Sequence, residues 1–427
     1  MHYTIRMAAR SVLHIDVNSA YLSWTAVELL KNGHPEDIRR TNAAIAGDRE
    51  QRRGIILAKS ESAKRAGVRT AMTVSEALRL CPDLRLYPPD PPLYAVYSDR
   101  LYELLSEYSD VIERFSVDEC FLDYTGSEKL FGPPAEAAFA ISRRVREELG
   151  FTVNIGVAQN KFLAKMASER EKPDRVHTLF PEEIEEKMWP LPLREMFGVG
   201  RSTENALSRL GLVTIGDVAR ADLRLLKREL KPALGQLLWD RANGIDDAPV
   251  VPAAERELKS IGHSTTTARD VTDEAEALRI LLQLSERVGI RLRRAERLAG
   301  GVSVELKNAD FTVYRHQRKL ARTIETTTEI YGQAREIFRE MWRGDALRLL
   351  GVSVFALSGG NAENESIRVS GLPRQLSLFD ALDPGAESPS GPPGQNDGAP
   401  AARALEEAQD RIRSRFGKKA ITRGTLL

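Results

Sequence analysis

Apolar residues crowd the stretch SVLHIDV at 11–17, where Val12, Leu13, Ile15 and Val17 predict a buried strand that carries a carboxylate, Asp16, near its end. The spacing at 19–31 predicts a helix stopped by Gly33, RRGIILAKS (52–60) a strand, and TVSEALRLCP (73–82) a short helix ended by Pro82. A longer helix rich in Tyr and Leu follows at 93–108. VIERFSVDECFLDYT (111–125) reads as a second strong strand region, 135–149 as an amphipathic helix, FTVNIGVAQ (151–159) as a strand and NKFLAKMASE (160–169) as a helix. This mixture predicts an α/β layer with helices on one side. From 181 to 247 the pattern is helical with Gly/Pro punctuation. Residues 255–360 return to α+β, with a long helix at 273–298, a strand at 301–308, a helix near 328–343 and a strand at 347–357. Residues 381–400 contain 11 Pro, Gly or Ser, the composition of a flexible linker. A charged amphipathic helix with Leu405, Ala408, Ile412 and Phe416 on one stripe is expected at 401–416.

Length and composition narrow this picture. A chain of 427 residues exceeds one core and implies several domains. The net charge of +1 gives no global sign of a nucleic-acid partner. Its distribution does: between Arg287 and Arg322 ten basic residues stand against three acidic ones, an electrostatic footprint for phosphates, or else a solvated helix face. The two cysteines, Cys81 and Cys120, have neither disulfide nor metal-ligand spacing, which fits a reducing cytoplasm. No apolar run has membrane-spanning length and no signal-peptide pattern begins the chain, so no membrane is expected.

The candidate chemistry is carboxylate chemistry. Asp16 ends one apolar strand, and Asp118 and Glu119 are adjacent in another, RFSVDECFLDY. Successive strand residues point to opposite faces, and a buried carboxylate without a partner is costly. Two hard divalent cations held by three carboxylates would resolve this. Surface carboxylates paired to arginines at a strand end would resolve it equally well, and spacing alone leaves both readings open.

HIDVNSAYLSW, SVDECFLD, NIGVAQNKFLAKMASEREKPD and FGVG…LGLVTIGDV, in this order, resemble the Y-family DNA polymerases, the DinB/UmuC translesion group. The resemblance runs from about residue 11 to 357. It implies an α+β multidomain right-hand polymerase with a ferredoxin-like palm, small fingers, a helical thumb with a helix–hairpin–helix and a little-finger domain. The implied boundaries are palm 1–20 and 88–175, fingers 21–87, thumb 176–250 and little finger 251–362. A tail at 363–427 would hold a clamp-binding peptide, a linker and the terminal helix.

By the same resemblance Asp16, Asp118 and Glu119 are the catalytic metal carboxylates, and the Val17 carbonyl completes the shell of two Mg²⁺ ions. Tyr21 is the steric gate under the incoming sugar, and Lys64 and Lys161 reach the triphosphate. Amides around Asn18–Tyr21, at a helix start, are placed to receive triphosphate oxygens. Asn18 stands where the DinB branch usually carries a second Asp, as in UmuC, so this side chain is not an obligatory ligand. Ala58 and Glu61 replace a fingers Thr and Tyr of that branch, so those contacts are not carried over.

Gly198 and Gly200 in FGVG fit a hairpin whose amides approach a DNA phosphate. In the little-finger region Arg291, Arg293, Arg294, Arg315, Arg318 and Lys319 would hold the duplex by its backbone without reading sequence. In RQLSLFD, residues Gln375, Leu376, Leu378 and Phe379 resemble the peptide that binds the bacterial sliding clamp. The implied partners are primer-template DNA, dNTPs and the clamp, with the enzyme itself a cytoplasmic monomer. A metal-dependent nuclease would use the same carboxylates but leaves Tyr21, Lys161 and the clamp peptide unexplained. Against a non-catalytic DNA-binding accessory protein stands the presence of all three carboxylates.

Overall fold

The computed structural model describes residues 10–48, 52, 54–252, 255, 257–359, 398–417 and 420–421. They form two compact units that divide near residue 256.

The first unit opens with β1 (Val12–Val17) and α1 (Ala20–Lys31). β2 (Ala43–Ala46), β3 (Ile56–Lys59) and β4 (Arg85–Tyr87) make a small sheet of order β3–β2–β4, beside α2 (Glu61–Arg65) and α3 (Val74–Leu80). A capping box between Thr73 and Glu76 starts α3. α4 (Pro91–Ser106) follows an Asp90 cap and leads into β5 (Ile112–Arg114) and β6 (Glu119–Asp123). After α5 (Glu128–Phe131) and α6 (Pro134–Arg144) come β7 (Val153–Ala158), α7 (Lys161–Ser168) and β8 (Val176–Thr178). The five strands order as β5–β6–β1–β7–β8.

Alternation along β1 sorts this sheet into two faces. Leu13, Ile15 and Val17 pack with Tyr94, Tyr97 and Leu101 of α4 and with Ala137 and Ile141 of α6. Val12 on the opposite face joins Phe162, Leu163 and Ala164 of α7. Helices therefore cover both faces, not one as the pattern predicted. Gly156 permits this, because a Cβ there would lie 1.9 Å from the Ala164 carbonyl oxygen. The 111–125 region is likewise not one strand. Phe115 and Ser116 both donate their N–H groups to the Glu119 carbonyl, so the chain reverses between β5 and β6. Asp118 sits in that turn, and Glu119 begins β6.

Residues 181–250 are helical as expected: α8 (Ile184–Lys187), α9 (Arg201–Arg209), α10 (Ile215–Arg220), α11 (Leu223–Leu230) and α12 (Pro232–Ala242). Their apolar residues, such as Leu207, Ile215, Leu226 and Leu238, share a core with α7.

The second unit has a four-stranded antiparallel sheet, β11–β10–β12–β9, made of β9 (Ser260–Val271), β10 (Arg297–Asn308), β11 (Val313–Ile324) and β12 (Leu347–Gly359). α13 (Glu274–Arg294) and α14 (Thr327–Met341) bury one face against Val302, Val304, Leu350 and Val352. β11 escaped the sequence reading because it is an edge strand, exposed over most of its length and too rich in charge to show apolar alternation. α15 (Gly398–Phe416) starts three residues before its predicted onset. The side of α15 that docks is polar: buried Glu406 accepts from Thr327 N–H, and Leu405, Ile412 and Phe416 stay exposed.

Replacing Gly156 by Ala should cost about 2–3 kcal/mol of unfolding free energy, because strand or helix must move to admit the methyl. Gly200→Ala, with open space around the new Cβ, should change stability by less than about 0.5 kcal/mol. Urea unfolding of both variants checks the pair.

Candidate active site

β1 and β6 pair so that Asp16 stands opposite Glu119. On the α7 side of the sheet the carboxylates of Asp16, Glu119 and Glu169, the residue that caps α7, have oxygens within 4.8 Å of one another. Two lysines lie between them. Lys165 Nζ is 3.0 Å from Glu119 Oε1 and 3.0 Å from Glu169 Oε1. Lys172 Nζ is 2.8 Å from Asp16 Oδ2 and 2.8 Å from Glu169 Oε2. A cleft of about 790 Å³ opens beside Glu119 and Glu169, bordered by Phe115, Met166, Arg194 and Phe197.

Burial dominates the Asp16 carboxyl and pushes it up to about 6 despite Lys172. Burial also opposes charge on Glu119, but the His14 ring and the Lys165 ammonium outweigh it and bring the carboxyl down to about 2. His14 is fully buried, which lowers it to about 4 and leaves it neutral near pH 7, so the charge that holds Glu119 is that of Lys165. Burial opposes charge on both lysines, yet the neighbouring carboxylates hold each above its ordinary value. The cluster is thus acidic and densely charged, and it is partly shielded from water. That chemistry suits hard cations.

Asn18 is held by three hydrogen bonds. Its Nδ2 donates to Asn154 Oδ1 at 3.1 Å, and its Oδ1 accepts from Thr152 Oγ1 at 3.0 Å and Asp174 N–H at 2.9 Å. It joins β1 to β7 and to the segment after Lys172. Ser19 follows in the left-handed region with φ 47°, and its side chain does not cap α1, which leaves the first helix amides open to an anion. Tyr21 is half-buried and stacks on Tyr94 with centroids 4.5 Å apart. Burial raises its phenol, and the Asp118 charge adds to that.

The structure brings Asp16 and Glu119 together but leaves several other predicted residues apart. Asp118 lies outside the 4.8 Å cluster and accepts from Ser116 Oγ in the turn, although its carbonyl receives Val17 N–H. Lys161, the first residue of α7, pairs with Glu113 at 2.6 Å. One helical turn on, Lys165 is the residue that meets Glu119. Lys64 is exposed beside Glu61 on α2.

Three of the predicted DNA-contacting arginines are held in ion pairs within the second unit. Arg293 is buried against Glu406 and Asp410 of α15. Arg318 pairs with Glu336 and Glu340 of α14 because its register partner, Val302, faces the helices. Arg315, which forms an ion pair with Glu305, and Lys319, which stands opposite Gly301, lie on the sheet face that α13 and α14 leave open. Arg291 donates to the Gly262 carbonyl, and Arg294 is exposed. Gly198 has φ 93° and Gly200 caps α9, as a hairpin turn requires. Gln375, Leu376, Leu378 and Phe379 lie outside the described residues. Sequence reasoning missed Lys165, Glu169, Lys172 and His14. The hint was that the first three fall within the motif NIGVAQNKFLAKMASEREKPD and that His14 opens HIDVNSAYLSW.

Comparison with known proteins shows the family. The impB/mucB/samB family model matches residues 15–169, its C-terminal domain model 258–369 and the HHH motif of the IMS family 181–212. The DNA polymerase IV of Clostridium acetobutylicum is 38% identical over 98% of both chains. DNA polymerase IV 1 of Bacillus subtilis is 33% identical over 98% of this chain and 94% of its own. A solved Y-family DNA polymerase chimera of Dbh and Dpo4 superposes with a TM-score of 0.70 at 22% identity, covering 82% of this chain and 99% of that one, which speaks to the fold. The chain belongs to the Y-family of DNA polymerases and is a translesion-type, DNA-directed DNA polymerase. Within that class it is of the DinB type, the group of its DNA polymerase IV relatives. Its substrates are primer-template DNA and dNTPs, and its activity is metal-dependent. Among the described residues no helix is long and apolar enough to cross a membrane.

Asn18→Asp would set a carboxylate against Asn154 Oδ1 and remove a buried donor, at a cost of about 1–3 kcal/mol. Thermal unfolding of this variant should show the loss.

Proposed function

We propose that Asp16, Asp118, Glu119 and the Val17 carbonyl hold two Mg²⁺ ions for nucleotidyl transfer. The opposition of Asp16 and Glu119 across β1 and β6, with carboxylate oxygens within 4.8 Å of each other, is the observation that carries this reading. The donor set fits hard divalent cations, since it is built of oxygen ligands at one end of a sheet. Bound there, the metals would lower the pKa of the primer 3′-hydroxyl and neutralise charge on the triphosphate. The chain's own groups position the reactants. The open amides at the start of α1 receive phosphate oxygens. Lys161 at the start of α7 and Lys64 on α2 reach the triphosphate, and Lys172, already beside Asp16, is a further cation there. Tyr21, fixed by its stack on Tyr94, lies under the sugar and excludes a 2′-hydroxyl. The cleft beside Glu119 receives the primer end.

DNA is held by the hairpin at Gly198 and Gly200 and by the uncovered sheet face with Arg315 and Lys319, while Arg291 and Arg294 flank it. The palm spans 1–20 and 88–175, the fingers 21–87, the thumb 176–250 and the little finger 251–362. The enzyme works as a cytoplasmic monomer, and Gln375, Leu376, Leu378 and Phe379 bind the sliding clamp.

Single-turnover primer extension with Mg²⁺ tests the centre. Asp16→Asn should lose at least about 10³-fold in rate, in line with a lost transition-state charge interaction. Tyr21→Ala should keep extension and raise ribonucleotide use. Full activity in Asp16→Asn, or unchanged sugar selection in Tyr21→Ala, contradicts the assignment concerned. Removing Gln375–Phe379 should reduce clamp-stimulated synthesis by about tenfold or more while bare primer extension stays the same, because tethering acts through local concentration.

A further inference from the structure

The two ammonium groups at the carboxylates occupy oxygens that metal ligation needs. Lys172 donates to Asp16 Oδ2 and Lys165 to Glu119 Oε1. Glu169 joins the two halves of this network: one of its oxygens takes Lys165 and the other takes Lys172. Among the described residues it is the acid that contacts both lysines. It lies at the end of α7, where the helix C-terminus also attracts cations. The Glu169 side chain is 43% exposed, against 10% for Asp16 and 19% for Glu119, so it lies on the outer side of the cluster.

Ammonium and divalent metal compete for the same Asp16 and Glu119 oxygens, and like charges at this spacing repel. A lysine that leaves one of these oxygens needs another anion nearby, or it remains as a competitor. Glu169 is that anion for both lysines. Building on the metal centre proposed above, we propose that Glu169 is a positioning residue: it draws Lys165 and Lys172 off Asp16 and Glu119 as divalent metal binds, and keeps them beside the centre, ready for phosphate oxygens. Glu169 is not a ligand in this account. It acts through the two lysines.

The sign of the effect follows. Without the Glu169 charge, both ammonium groups fall wholly on Asp16 and Glu119 and metal binds less tightly. Without the lysines there is nothing for Glu169 to withdraw, and its charge matters little. If Glu169 were a direct ligand, its loss would weaken metal binding whether or not the lysines were present.

Direct Mn²⁺ titration by electron paramagnetic resonance, with no DNA or nucleotide, reads this without an activity assay. E169Q in the otherwise unchanged enzyme should weaken Mn²⁺ binding by about fivefold or more, the scale of a single partly screened charge interaction. In a K165M/K172M background the same substitution should change affinity by less than about twofold, which would be a clear double-mutant coupling. Far-UV circular dichroism confirms that each variant is folded, and E169D, which keeps the charge, should restore most of the affinity. An E169Q effect of equal size in both backgrounds overturns the proposal in favour of direct ligation, and no effect in either background overturns it outright. D16N separates the two levels: if it leaves Mn²⁺ binding intact, the metal centre itself is wrong and the role of Glu169 falls with it.

Discussion

A carboxylate buried at the end of an apolar strand is the constraint on which this structure turns. Asp16 is almost wholly removed from water, and its surroundings disfavour its charge. The fold answers with cations and hydrogen-bond donors brought from several elements. The segment beyond α7 supplies Lys172 to Asp16, and α7 supplies Lys165 to Glu119, the second acid that β6 sets opposite Asp16 and that adds to the cost of its charge. Gly156 lets α7 lie close enough to the sheet for these contacts to form. Asn18 ties the same segment to β1 and β7, so the groups around Asp16 are fixed by backbone as well as by charge.

The first unit thereby separates its tasks by face. One side of the β1 sheet is an ordinary apolar core closed by α4 and α6. The other side carries the polar residues of β1, namely His14 against Ser168 and Asp16 against Lys172. The β11 strand of the second unit repeats this logic. Arg318 turns toward α14 and is neutralised there, whereas Arg315, paired to Glu305, and Lys319 turn to the face that the helices leave open. In both sheets a step of one residue decides whether a charge serves stability or stands at a surface that can meet a charged ligand.

Much of this was legible in the sequence, because period-two patterning fixes faces. The strand at 11–17, the exceptional place of Asp16 in it and the approximate extent of most helices follow from apolar spacing alone. Asn18 was set apart from the ligands, and its three side-chain hydrogen bonds give it a structural part between β1, β7 and the segment after Lys172. The turn holding Asp118 was hidden, because Val117 and Phe115 kept the region looking like a continuous strand. Lys172 went unremarked because nothing in local spacing reveals that the chain after α7 folds back onto β1. Glu169 and Lys165 looked like surface charges on a helix. Arg293 looked like part of a basic footprint until the terminal helix brought Glu406 and Asp410 to it. These features share one cause: the pairing of charges distant in sequence depends on tertiary placement, which periodicity does not encode.

The central claim is that Asp16 and Glu119 form a divalent-cation centre on the α7 face, with the lysines as competing countercharges. Anomalous diffraction from crystals of the enzyme with Mn²⁺, primer-template DNA and a non-hydrolysable dNTP tests it most directly. The account predicts anomalous peaks between Asp16 and Glu119, with Lys165 and Lys172 moved off their carboxylate oxygens. Peaks at other carboxylates, or an intact Lys172–Asp16 pair with no metal beside it, would contradict it.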